Sequence, residues 1–307
     1  MKILIVGAGS TGGYFGARLT QAGRDVSFLV RPARAAALRA SGLQVLSPRG
    51  NFSVEPELVL AGEIDKPYDI VLVTVKAFGL AAAMEDFAAA IGPETMILPV
   101  LNGMKHVDDL QARFGPERVL GGVCRVSTTL DAQGRIVHLA PLHELVYGEL
   151  DGHRSARIEA LHAFMSDAGF DALLSTRIAQ DLWNKWLLLA TLGGTCTLAR
   201  GNVGEIVATD GGADFVRAFL AEATAVATAA GFAPSPQAVD FILGVLTAPN
   251  SPMTSSMYRD LIAGERVEAD QILGDLRERA RRAGLATPLV SAAFIQLDIF
   301  QRRLAAA

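Results

Sequence analysis

Met1-Lys2-Ile3-Leu4-Ile5-Val6-Gly7-Ala8-Gly9-Ser10-Thr11-Gly12-Gly13-Tyr14-Phe15-Gly16 runs an apolar strand into a glycine-rich turn and straight on into a helix. This is the order a dinucleotide-binding turn requires. Gly7 permits the tight turn, Gly9 leaves bare backbone for a pyrophosphate, and Gly12 lets the helix lie close against the strand. The helix N-terminus faces the phosphates with free N–H groups and the positive end of its dipole. Glycine-rich turns also form for structural reasons alone. The unbroken succession of strand, turn and helix favours nucleotide binding.

The next strand, Asp25-Val26-Ser27-Phe28-Leu29-Val30-Arg31, ends where an NAD-binding chain places an acid against the ribose hydroxyls. Here the position holds Arg31, with Arg34 close behind. An acid would repel the extra phosphate of NADP, and a guanidinium can clasp it. NADPH is the expected cofactor.

Half of the 307 residues are apolar, enough for two domains with cores of their own. A net charge of −4 and a pI near 5.8 give no basic surface for nucleic acid. The two cysteines, Cys124 and Cys196, have no metal-ligand or disulfide-framework spacing, so no metal is expected and the compartment reads as reducing. The first apolar run is too short for a signal peptide, and no later one reaches transmembrane length. A cytoplasmic protein with no membrane partner is expected.

The pattern changes near residue 175. Before it, apolar runs at Lys2 to Val6, Val26 to Val30, Ile70 to Val75, Met96 to Val100 and Val119 to Val123 alternate with helical stretches. Runs at Arg135 to Leu139 and Leu145 to Tyr147 follow, with a hairpin-like extension around Asp131-Ala132-Gln133-Gly134. After residue 175 the chain is Ala- and Leu-rich and almost continuously helical. The predicted fold is α/β: an N-terminal Rossmann-type parallel sheet domain over residues 1–175, then an all-α domain over 176–307. A cleft between the two is expected to take a small molecule. The helices after residue 205 could pack between subunits as readily as within one, which leaves a homodimer open.

Two strand ends carry polar residues that a core does not need: Lys76 after Val71 to Val75, and Asn102 after Met96 to Leu101. In an open α/β sheet the carboxyl ends of strands form the ligand crevice. In the helical part, Lys185 falls on the same stripe as Ile178, Leu182, Leu189 and Leu192. An ammonium group on an apolar face is costly unless paired or lowered in pKa, and a lysine so placed suits proton donation. Further on, Thr254, Ser255 or Ser256 could cap a helix. Glu268 follows Ser256 by twelve residues, and spacing does not choose among Glu265, Glu268 and Asp270.

Gly-Ala-Gly-x-x-Gly at Gly7 to Gly12, Val-Lys-Ala at Val75 to Ala77, Leu-Asn-Gly-Met at Leu101 to Met104, Lys185, and Ser-Ser-Met followed by Glu268 together resemble the ketopantoate reductase family. Its members, 2-dehydropantoate 2-reductases, use NADPH to reduce ketopantoate to pantoate on the route to pantothenate and coenzyme A. The resemblance implies that Gly7, Ala8, Gly9, Ser10, Thr11 and Gly12 hold the pyrophosphate and that Arg31 holds the 2′-phosphate. Lys76, Asn102 and Val126 then complete the cofactor set, and Asn102 also serves substrate. Lys185 becomes the proton donor to a 2-oxo acid, Ser256 a substrate ligand, and Glu268 a contact to ribose that orients Lys185.

Three positions depart from the family pattern. Leu189, Gly193 and Val203 stand where substrate asparagines are expected, with Asn202 one residue from the last. A site that lacks those polar groups loses preference for a hydroxylated substrate while keeping the reduction machinery. A paralogous reductase of a more apolar 2-oxo acid, a non-catalytic NADP-binding sensor, and a β-hydroxyacid dehydrogenase are the alternatives.

Overall fold

The computed structural model describes residues 1–306. In chain order its elements run β1 (Lys2–Val6), α1 (Ser10–Gln21), β2 (Asp25–Leu29), α2 (Pro32–Ser41), β3 (Leu43–Leu46), β4 (Phe52–Val54), β5 (Glu57–Val59) and β6 (Ile70–Val73). There follow α3 (Leu80–Asp86), β7 (Met96–Pro99), α4 (Lys105–Phe114), β8 (Gly121–Leu130), β9 (Ile136–Gly148), α5 (Ala156–Met165) and β10 (Asp171–Leu174). The rest is helical: α6 (Ile178–Ala199), α7 (Val203–Val207), α8 (Gly212–Ala229), α9 (Pro236–Leu246), α10 (Ser256–Ile262), α11 (Asp275–Arg282) and α12 (Pro288–Ala306). The chain divides into two compact units, one of residues 1–101 and 106–179, the other of 102–105 and 180–307.

The first unit is built on an all-parallel sheet in the order β5-β2-β1-β6-β7. Counted along the chain, its third, second, first, fourth and fifth strands stand side by side, so the order reverses between β1 and β6. The crevice beyond the carboxyl ends of those two strands is where such sheets bind ligands. Ile3, Leu4, Ile5 and Val6 are all within 2% of full burial because each face of the sheet has its own core. Ile3 and Ile5 pack with Phe15, Phe28, Ile70 and Leu72; Leu4 and Val6 pack with Val71, Val73, Ile97 and Leu110. Burying each such side chain contributes roughly 1.5–3 kcal/mol.

A second, mixed sheet has the order β10-β9-β3-β4, with β8 antiparallel along the other edge of β9. Here the structure corrects the expected strands. The runs Arg135 to Leu139 and Leu145 to Tyr147 are one 13-residue strand. Pro141 does not break it because β8 and β9 fall out of register there. Val126 faces His143 and Thr128 faces His138, so Ser127 alone stands against residues 139–142. Proline, which cannot donate to a ladder, is tolerated in such a bulge. The run expected at Val119 to Val123 becomes β8 from Gly121 onward, with Val119 bridging to Ile97.

A polar cluster lies under α1. Tyr14 Oη is 2.7 Å from Nδ1 of His143, and Ser47 Oγ is 2.9 Å from Nδ1 of His138. The two imidazoles stack with centroids 5.7 Å apart, and the Arg18 guanidinium lies 4.3 Å from the centroid of Phe52. Burial lowers both histidine pKa values, and the positive charges of Arg49 and Arg18 lower them further.

The second unit is helical. Among the described residues no helix is long and apolar enough to cross a membrane, and no group of His, Cys, Asp or Glu is placed to hold a metal ion.

Candidate active site

Each glycine of the turn after β1 meets a different constraint. Gly7 has φ +99°, a conformation that side chains strain to adopt. A Cβ on Gly12 would lie 2.1 Å from Thr74 Oγ1 and 2.3 Å from the Gly7 carbonyl oxygen, so α1 can start there only without one. Thr74, just beyond β6, donates its hydroxyl to the carbonyls of Val6 and Gly7 at 2.9 and 3.1 Å and so ties the turn to the neighbouring strand. Gly9 is different. Its backbone is extended, at φ −79° and ψ −165°, and a Cβ there would have nothing within 4 Å. Nothing inside the protein requires glycine at this exposed position, and the open space lies at the N-terminus of α1. Bare backbone beside free N–H groups fits a pyrophosphate.

Arg31 is exposed at the N-cap of α2, two residues past β2. Arg34, close enough in sequence to help Arg31, makes hydrogen bonds within the protein. Its Nε donates to the Ala8 carbonyl and its second terminal nitrogen to the Gly134 carbonyl, both at 3.2 Å. Burial lowers its pKa. Arg34 therefore braces the glycine turn against the β8–β9 turn, a role with no signal in the spacing. Lys76 is exposed after β6, with Nζ 5.9 Å from the centroid of Phe78. Val126 is half-buried and packs against the core that contains Phe28 and Tyr14.

The second unit brings Asn102, Lys185, Ser256 and Glu268 into one compact body. On α6, Leu182, Trp183, Trp186 and Leu187 are buried, while Lys185 and Leu189 are half-buried one turn apart. Among the hydroxyls, Ser255 is buried and caps α10, its Oγ accepting the Tyr258 N–H at 2.9 Å. Ser256 is the exposed first residue of that helix, with its hydroxyl outside the cap. Among the acids, Glu265 and Asp270 are exposed, whereas Glu268 is half-buried immediately before a helical stretch. Asn102 is half-buried and precedes Gly103, at φ +82°.

The three departures have physical counterparts. A Cβ on Gly193 would come 2.6 Å from Cε of Met257, so Met257 fills the space a side chain at 193 would take. Val203 is 2% exposed and donates its N–H to the Met253 carbonyl. Asn202, one residue away, spends its Oδ1 on the Glu205 N–H at 2.8 Å in a capping box. Cys196 is buried behind this face, and burial pushes its thiol up to about 11. Thr74, Met257 and the bracing role of Arg34 are parts that sequence reasoning missed.

Comparison with known proteins agrees with this architecture. Residues 3–152 match the family model "Ketopantoate reductase PanE/ApbA" and residues 177–298 match "Ketopantoate reductase PanE/ApbA C terminal". The chain is 38% identical to the uncharacterized oxidoreductase YkpB of Bacillus subtilis, over 98% of this chain and 99% of that protein. It is 30% identical to a 2-dehydropantoate 2-reductase of Mesorhizobium japonicum over 95% of each. The crystal structure of 2-dehydropantoate 2-reductase from Geobacter metallireducens superposes with a TM-score of 0.86 at 30% identity, covering 97% of this chain and 99% of that one. On matches that span both of its units, the chain belongs to the ketopantoate reductase family of oxidoreductases.

Proposed function

We propose that the protein reduces a 2-oxo acid to a 2-hydroxy acid with NADPH, with 2-dehydropantoate as the substrate and pantothenate supply as the setting, in the cytoplasm. The presence of Asn102, Lys185, Ser256 and Glu268 in one compact unit carries the reading: it supplies an amide, an amine, a hydroxyl and a carboxylate, with Lys185 half-buried on a helix whose neighbours Leu182, Trp183, Trp186 and Leu187 are buried. Gly7 to Gly12 at the N-terminus of α1 fit the pyrophosphate, and Arg31 at the end of β2, where an acid is missing, fits a 2′-phosphate.

When bound, the reduced nicotinamide supplies a hydride to the ketone carbon. Lys185 Nζ stabilises the charge that develops on the ketone oxygen and delivers the proton that completes the hydroxyl. Ser256 Oγ and the Asn102 amide hold the 2-oxo acid. Glu268 accepts from the cofactor ribose and keeps Lys185 oriented, while Lys76 binds near the nicotinamide end.

NADPH absorbance followed with purified protein and a panel of 2-oxo acids tests the reading. Lys185→Ala is expected to cut kcat by about 100-fold or more with NADPH affinity nearly unchanged. Near-normal turnover in that variant overturns the assignment. A second reading, reduction of a 2-oxo acid without the hydroxyl of ketopantoate, is favoured by Leu189 and by the Met257 methyl over Gly193. Higher kcat/KM for the dehydroxylated analogue in the same panel selects it.

A further inference from the structure

Beside Lys185 on α6 stands a tryptophan tied to a distant part of the chain. Trp186 is 1% exposed, and its Nε1 donates a 2.9 Å hydrogen bond to the carbonyl of Ile272. Ile272 belongs to Asp270–Gly274, a single π-helical turn in which the Asp275 N–H reaches back five residues to the Asp270 carbonyl. Such turns are rare and recur where a helix has to place something that α-helical geometry cannot. The stretch opens just after Glu268, whose carbonyl accepts the Ile272 N–H at 3.1 Å. It also meets the Asn102 loop: a Cβ on Gly103 would lie 2.6 Å from the Gln271 carbonyl oxygen, at φ +82°. Only glycine lets these two backbones approach so closely.

The far end of the same turn closes on Trp186 a second time. Asp275 holds Arg279 at 3.1 Å, and the Arg279 guanidinium lies 5.8 Å from the ring centroid of Trp183 and 5.7 Å from that of Trp186. Trp186 is thus fixed at its edge by a carbonyl and on its face by a cation.

We propose that the π-helical turn Asp270–Gly274 is the positioning element of the reaction centre. Through the Ile272 carbonyl it fixes the rotation of Lys185, through the Gln271 carbonyl against Gly103 it places Asn102, and it presents Glu268 at its own start. Trp186 and Gly103 are positioning residues that act through their neighbours. The proposal rests on the reading of Lys185 as proton donor, so its test needs a signal that does not depend on turnover.

Lys185 is one of only five lysines, so reductive 13C-methylation gives an assignable resonance, with Lys185→Arg as the assignment control. Trp186→Phe keeps an apolar ring and removes the N–H. The expected result is a displaced Lys185 resonance together with a fall in kcat of about tenfold, KM for NADPH and for the 2-oxo acid staying within about twofold. Trp186→His, which restores a ring N–H, recovers part of both. Should Trp186→Phe not fold, Arg279→Met removes the cation from the ring face, leaves the hydrogen bond, and is expected to displace the same resonance by less. An unmoved resonance in the folded variant overturns the proposal, whatever happens to kcat. A wild-type protein inactive on every 2-oxo acid, but with the resonance displaced by Trp186→Phe, sinks the proposed reaction and leaves the turn as the element that positions the lysine.

Discussion

Gly9→Ala and Gly12→Ala separate nucleotide binding from folding within one turn. At Gly12 the new methyl would stand 2.1 Å from Thr74 Oγ1 and 2.3 Å from the Gly7 carbonyl oxygen, and real Cβ atoms essentially never come under 3.0 Å. Thr74 has to retreat by about 1 Å, which breaks its hydrogen bonds to Val6 and Gly7 at about 0.5–1.5 kcal/mol each. Overpacking adds about 1–3 kcal/mol, and the better helix propensity of alanine returns up to about 1 kcal/mol. The net loss is about 1–6 kcal/mol, or a fall in Tm on the order of 2–20 °C for a chain of this size. At Gly9, the N-cap of α1, the backbone is already extended and a methyl meets nothing within 4 Å, so the loss is limited to what alanine costs at a cap, about 0.5–1 kcal/mol. That methyl projects where the pyrophosphate approaches, and NADPH affinity should drop at least about tenfold, or 1.4 kcal/mol. Thermal denaturation and NADPH fluorescence titration of both variants read the two quantities separately. A Gly9→Ala protein that binds NADPH as tightly as wild type would falsify the placement of the pyrophosphate. A Gly12→Ala protein with unchanged Tm refutes the packing account of α1 on Thr74.

Arg31→Ala is expected to weaken NADPH by about tenfold or more and leave NADH unchanged; equal loss for both cofactors in titration removes the argument for the 2′-phosphate. His138 and His143 have folded-state pKa values lowered chiefly by burial, so their neutral forms favour the fold. That stability is fully present above the unfolded value of about 6.5 and is lost as pH falls through the lower folded values. Urea midpoints measured from about pH 8 to pH 5 should therefore decline below about 6.5, and less steeply in His143→Phe; a flat profile contradicts the buried neutral pair. Gly193→Asn forces Met257 aside and is expected to lower kcat/KM on every 2-oxo acid, with partial recovery in the double variant with Met257→Ala. Failure of the second change to help would show that the two side chains do not share that space.

The strands β1, β2, β6 and β7 are legible because a strand covered on both faces reads as an uninterrupted apolar run. β3, β4, β5 and β10 carry no such run; they are three or four residues long and partly exposed. Pro141 made β9 look like two strands, since nothing local announces a bulge on the opposite strand. In the second unit the apolar stripe locates Lys185, but a hydroxyl spent on a cap looks the same in sequence as one left outside it. The bond to Tyr258 and burial separate Ser255 from Ser256. The π-helical turn has no composition signal, and its contacts to Trp186 and Gly103 reach parts of the chain far off in sequence.

Strand β9 also sets when the first unit can fold. β3 finds its parallel partner only when Val45 pairs with Ile136 and Leu46 with Val137, about ninety residues later in the chain. The core under Ile3, Ile5, Phe28 and Leu72 draws Ile136, Leu145, Tyr147, Ile158 and Phe170 from the same late stretch. During synthesis the parallel sheet therefore emerges with one apolar face uncovered, and long-range closures of this kind are slow and prone to association. A fragment that ends before Ile136 keeps the complete glycine turn and lacks the β9 side chains of the core. A nucleotide-binding piece that stands alone has to run on through Leu174.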